Sequence, residues 1–239
     1  MTMRIFKSCV VSALPLLAIA MAIGIGRVDA KKTAYHPTID PARFQAEVDN
    51  PYFPLIPGTT FSFLETLGGE TSESEVTVTQ DTKTILGIRC VVVHDTLKRK
   101  GVLKEETFDW YAQDEDGTVW YMGEDTKEFL GGKRVSTEGS WEAGVDGALP
   151  GIMMVKDPKP GEPYRQEYLA NRAEDMGQIV ERNVTVTVPY GTFTGCIKTK
   201  EWSMLEAGHE SKWYCKGLGV VRTESTSKEV ATLVSVAKP

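Results

Sequence analysis

The side chains that do covalent or metal chemistry are few in this chain and poorly spaced for it. The three histidines are His36, His94 and His209, and no His or Cys pair stands at zinc-finger or H-E-x-x-H spacing. A nucleophile elbow of the G-x-S-x-G type is missing. The nearest stretch, Gly139-Ser140-Trp141-Glu142-Ala143-Gly144, spaces its glycines wrongly. No glycine-rich loop ends in Lys-Ser/Thr, as a phosphate cradle requires. Cys90 and His94 share a strand face, but i and i+4 on a strand lie about 13 Å apart, beyond direct proton transfer. No catalytic residue follows; the balance is against an enzyme, with an acidic-site enzyme left open.

Carboxylates and aromatics remain. Glu124, Asp125, Glu138, Glu142, Asp146, Glu174 and Asp175 fall in loop segments around one long irregular stretch. A hard cation takes roughly six to eight oxygens from such groups. Glu124, Asp125, Glu142 and Asp146 are therefore the candidate metal ligands, with Ca²⁺ as the one cofactor left open. The competing explanation is that acidic loops are solvated loops. Asp114-Glu115-Asp116-Gly117 echoes part of an EF-hand loop but lacks the rest, and reads as a turn.

The densest aromatic stretch is Lys104 to Asp125, KEETFDWYAQDEDGTVWYMGED, folding as a hairpin about Asp116-Gly117. A three-residue loop puts Phe108, Trp110 and Ala112 on one face with Trp120 and Met122. A two-residue loop puts Trp120 beside Tyr111 instead. Either way one side is rich in large rings, which pack a core or form a concave surface for an apolar ligand. Trp110, Trp120, Tyr121 and Trp141 are the candidate ligand-binding residues.

The elements that must position these residues are strands. Ser72 to Gln80 alternates polar and β-branched residues, and Cys90-Val91-Val92-Val93 is apolar on both faces, as in a central strand. Asp40-Pro41 is placed to cap one or two helical turns through Glu47. Asn50 to Gly58, with three prolines, is extended, and its apolar residues plug one end of the fold. Residues 31–57 form an N-terminal arm, 58–141 a first β half, 142–163 a linker loop and 164–239 a second β half of the same domain. The halves look duplicated: Glu75 to Thr79 matches Asn183 to Thr187, and Trp110-Tyr111-Ala112 matches Trp213-Tyr214-Cys215. In the first half the turn at Lys98 to Gly101 sets Cys90 opposite Ala112. Cys196 and Cys215 take the equivalent places in the second, which predicts a disulfide between them and a free Cys90.

Met1 to Ala30 reads as a secretory signal, with Arg4 and Lys7 before an apolar run and Val28-Asp29-Ala30 at the cleavage site. Cleavage takes 30 residues from 239 and leaves 209, soluble, periplasmic or secreted, without a membrane span. It also removes Arg4, Lys7, Arg27 and Asp29, a net of +2, so the charge goes from −6 to −8. A mildly acidic chain with no Lys/Arg cluster argues against nucleic acid and anionic membranes as partners.

Val188-Pro189-Tyr190-Gly191-Thr192-Phe193 through Trp213-Tyr214-Cys215-Lys216-Gly217-Leu218-Gly219-Val220-Val221 resembles secreted bacterial β proteins with a GTF stretch followed by WYA-x-GVG. Asn50 to Gly58 and Phe108 to Asp125 are similar to exported proteins sharing an NPYFPL-x-PGT opening. Together these cover most of the mature chain. The resemblance implies a curved antiparallel sheet or half-barrel like that of the LolA-like lipoprotein carriers. It implies no assigned function and no catalytic residues. This chain departs from the motif at Cys215, where alanine is usual. The reading is a mainly β antiparallel meander that binds or carries an apolar small molecule or lipid. An envelope interaction protein or an acidic-site enzyme is the alternative.

Overall fold

The computed structural model describes residues 35–239. The signal segment, Met1 to Ala30, lies outside these. After a 3₁₀ turn at Pro41–Arg43 the strands are β1 (Phe44–Gln45), β2 (Thr60–Leu67), β3 (Glu70–Ile85), β4 (Ile88–Arg99), β5 (Val102–Asp114) and β6 (Val119–Leu130). There follow β7 (Lys133–Ser136), β8 (Trp141–Glu142), β9 (Leu149–Met154), β10 (Tyr164–Arg165) and β11 (Glu167–Tyr168). The last are β12 (Asp175–Val188), β13 (Gly191–Ser203), β14 (Glu210–Cys215), β15 (Gly219–Ser225) and β16 (Val230–Ala237). Among the described residues there is no α-helix, and so none long and apolar enough to cross a membrane.

Local chemistry makes the long meander. The β3–β4 and β4–β5 hairpins turn on Leu86-Gly87 and Lys100-Gly101, with both residues of each at positive φ. That is the primed turn geometry whose twist matches the flanking strands. All pairings are antiparallel, in the order β10-β12-β13-β14-β15-β16-β2-β3-β4-β5-β6-β9-β11. The C-terminal strand β16 thus joins the first long strand β2, with Val236 opposite Phe61.

The sheet curls further than a half-barrel, into a nearly closed barrel with one seam. Consecutive residues hold the seam: Tyr164 and Arg165 pair with β12, while Glu167 and Tyr168 pair with β9. Gly151 on β9 makes the approach feasible, because a Cβ there would lie 2.0 Å from the Gln166 carbonyl oxygen. The chain from 142 to 163 is therefore not one irregular linker. Its Leu149–Met154 segment pairs with β6, because apolar Ile152 to Met154 can cover the open edge of that strand.

The helical turns expected through Glu47 shrink to three residues. Asp40 does cap them, accepting from the Ala42 N–H at 3.0 Å, but the chain leaves into β1 at Phe44. Beyond it the arm enters the core. Phe53 is 1% exposed and packs edge-on against Tyr111 at 5.1 Å. Burying one such ring contributes about 1.5–3 kcal/mol. Asn50 anchors the arm, donating to the carbonyls of Gly117 and Val155 while its own N–H donates to Gln113 Oε1.

Inward residues alternate along the strands, but not all are apolar. On β2 the buried positions are Phe61, Phe63 and Glu65. Burial pushes the Glu65 carboxyl well above the usual range, and Asp95, Glu229 and Glu105 add to this, while the Ser74 hydroxyl works against it. A raised folded-state pKa means the native chain holds this proton more tightly than the unfolded one. Stability is therefore lost as pH rises from about 4.5 through the folded value. Glu65→Gln is expected to stabilise the protein at neutral pH by about 1 kcal/mol or more. Melting curves should show the gain fading below about pH 4.5; a gain independent of pH would contradict this origin.

Candidate functional site

The tryptophan hairpin resolves the choice between the two loop lengths. Ala112 pairs with Trp120 and Tyr111 with Tyr121, so the tyrosines face inward and Trp120 lies on the outer face. A bulge then follows, and Trp110 pairs with Gly123. Met122 becomes the extra residue and is fully buried, off the face it would share with Trp120 in an unbroken ladder. An equivalent register shift falls between Trp213 and Tyr214 in β14.

Gly123 lets β8 cross above it. A Cβ there would sit 2.4 Å from the Trp141 carbonyl oxygen and 3.1 Å from the Trp110 ring, and its φ of 137° belongs to glycine. Glu142 pairs with Gly123 and Trp141 with Glu124. The turn after β8 is tied by Ala143 N–H to Met122 and by Gly144 N–H to Ala148. This turn rests on the tip of the β3–β4 hairpin, where Gly144 leaves room for Leu86.

These elements border an open cleft of about 380 Å³. Trp110, Trp141, Glu124, Asp125, Glu142 and Asp146 line it, so two candidate aromatics and the four candidate metal ligands meet there. Lys83, Ser140, Val145, Leu169 and Arg172 complete the walls. Both tryptophans are largely covered, at 7% and 4% exposure. Over Trp110 lies Lys83, its Nζ 3.3 Å from the ring centroid and 2.7 Å from Glu142 Oε2.

Two candidates lie elsewhere. Tyr121 is beneath the cleft, stacked on Tyr111 at 4.7 Å, with its single hydroxyl proton shared between the carboxylates of Asp109 and Glu124. Burial, with Asp109 and Glu124 nearby, pushes the phenol well above its ordinary pKa, so it remains a donor. Trp120 is on the outer face, donating from Nε1 to Asp114 at 2.8 Å. Among the described residues no three His, Cys, Asp or Glu side chains stand where they could hold a metal ion. Asp125 is instead bridged to Lys127 at 3.0 Å.

Lys83, Leu169 and Arg172 were not singled out from the sequence. Lys83 lies near the end of β3, in a polar stretch of an alternating strand, and gives no signal of its own. Glu174 and Asp175 also lie away from the cleft, Glu174 facing Arg165 and Asp175 buried toward Lys212. His94 stacks on Phe108 at 4.4 Å and lies 3.1 Å from Glu106, while Cys90 is enclosed in the core.

No protein-family model matches this chain, and no curated protein matches it. Two solved structures are similar in outline. One is a Bacteroides fragilis protein described as exported and with a YmcC-like fold, at 16% identity and a TM-score of 0.44, covering 78% of this chain and 99% of its own. The other is a Parabacteroides distasonis protein described as a lipoprotein, at 15% identity and a TM-score of 0.42, covering 78% and 98%. At these scores neither likeness bears on function.

Proposed function

We propose that this chain is an exported, non-catalytic binding protein, and that its ligand seat is the cleft over Trp110 and Trp141. The observation that carries the reading is convergence. Residues from β3, β5, β6, β8 and the 169–172 turn bring aromatic, aliphatic and charged groups to one concavity. About 380 Å³ is within the range of small-molecule sites. The apolar ligand expected from the sequence becomes an amphipathic one, with its body on Trp141, Val145 and Leu169 and its polar end among the charges. Export rests on the Met1 to Ala30 segment.

Native mass spectrometry of protein purified from its own periplasm tests this. The expected spectrum holds a bound species in the wild type and loses it in Val145→Trp, which fills the cleft from an exposed turn position. Equal occupancy in both proteins, or a bare mass throughout, would remove the cleft as the seat.

A further inference from the structure

The cleft contains a formed cation seat that the protein fills with its own side chain. Lys83 Nζ lies on the face of Trp110 and against the Glu142 carboxylate, the two partners that recognise an ammonium group. Asp146 stands at the same rim, and its carboxylate makes no hydrogen bond or ion pair among the described residues. Lys127 already serves Asp125, and Arg172 donates to the Ser140 carbonyl at 3.4 Å. The lining thus carries Glu124, Asp125, Glu142 and Asp146 against Lys83 and Arg172, an excess of negative charge.

We infer that the ligand's polar end carries an ammonium group, seated between the Trp110 ring and the carboxylates of Glu142 and Asp146. This rests on the cleft being the ligand seat. Lys83 is then a displaceable occupant. Its side chain is 35% exposed and its tether is a flexible four-carbon stem, so it can swing to solvent as the ligand amine enters. Selectivity follows from the same geometry, because an anionic end group would meet Glu142 and Asp146 with nothing but Arg172 and Lys83 to offset them.

Titration calorimetry with three decanoyl amides on the mature protein tests the inference. N-(2-aminoethyl)decanamide, N-(2-hydroxyethyl)decanamide and N-decanoylglycine share the chain and the carbonyl, and differ in end charge. The amine is expected to bind about tenfold tighter than the hydroxyethyl amide, with the glycine acid weakest. Lys83→Met should tighten the amine about tenfold further by vacating the seat, and Glu142→Gln should weaken it. Binding of the acid or the hydroxyethyl amide as tight as that of the amine overturns the inference and leaves the cleft as a ligand seat. So does weaker amine binding by Lys83→Met. Failure of all three amides to bind overturns the cleft reading with it.

Discussion

Replacing Lys212 by methionine is expected to cost about 3–5 kcal/mol of stability, enough to halt folding at 37 °C in a marginal background. Lys212 lies on β14 with none of its side chain exposed. Its Nζ is 3.0 Å from Glu201 Oε2, an ion pair in distance but off the hydrogen-bond angle, and 3.9 Å from Glu210. Burial alone would lower its pKa, but Glu201, Glu210 and Asp175 more than offset that, and the net shift is upward. Glu201 is also held by the hydroxyls of Thr199 at 2.7 Å and Tyr214 at 2.8 Å, so it cannot turn toward water when the cation goes.

Methionine fills the space but leaves buried carboxylate charge without its cation. A group with a raised pKa stabilises below its unfolded value and loses that contribution as pH rises through its folded one. The deficit in urea melts should therefore hold steady across about pH 6–9 and shrink in strong alkali. Lys212→Met/Glu201→Gln should recover part of the loss. A single-variant cost under about 1 kcal/mol would mean that the interior hydrates this site.

The second large effect is expected from Cys196→Ala/Cys215→Ala. The bond joins residues 19 apart in sequence, at a Cα–Cα distance of 4.3 Å, and closes β13 onto β14. Constraining a loop of this length stabilises by about 3 kcal/mol through the unfolded chain. Loss of the bond should lower the urea midpoint with little change in the folded far-UV spectrum. Cys90 offers no substitute partner, because burial pushes its thiol up to about 12. A thiol assay on the native wild-type protein should read near zero and rise to one on unfolding. A midpoint unmoved by the double substitution would place the constraint elsewhere in the barrel.

That disulfide was legible because antiparallel pairing is arithmetic. Val91 opposite Tyr111 continues to Cys90 opposite Ala112, and Ile197 opposite Tyr214 continues to Cys196 opposite Cys215. The plug formed by Asn50 to Gly58 was legible for a related reason: prolines forbid a helix, and Tyr52, Phe53 and Leu55 must be buried somewhere. Trp120 was not legible. Whether it faces in or out depends on the length of one turn, and Met122 depends on a bulge that no local residue announces. The strand within 142–163 was missed because its glycines and prolines read as loop, while its pairing is supplied by β6, some thirty residues upstream.

Alternation and turn chemistry are local, so the sequence by itself determined an antiparallel β protein, its hairpins, its disulfide and the set of acids and tryptophans worth watching. Closure is not local. Only the tertiary structure decided that Tyr164 to Tyr168 bridges the two sheet ends, that Lys212 is buried among the carboxylates of Glu201 and Glu210, and that Lys83 lies on Trp110. The first depends on how far the whole sheet curls; the other two depend on which face of neighbouring strands the register and bulges turn together.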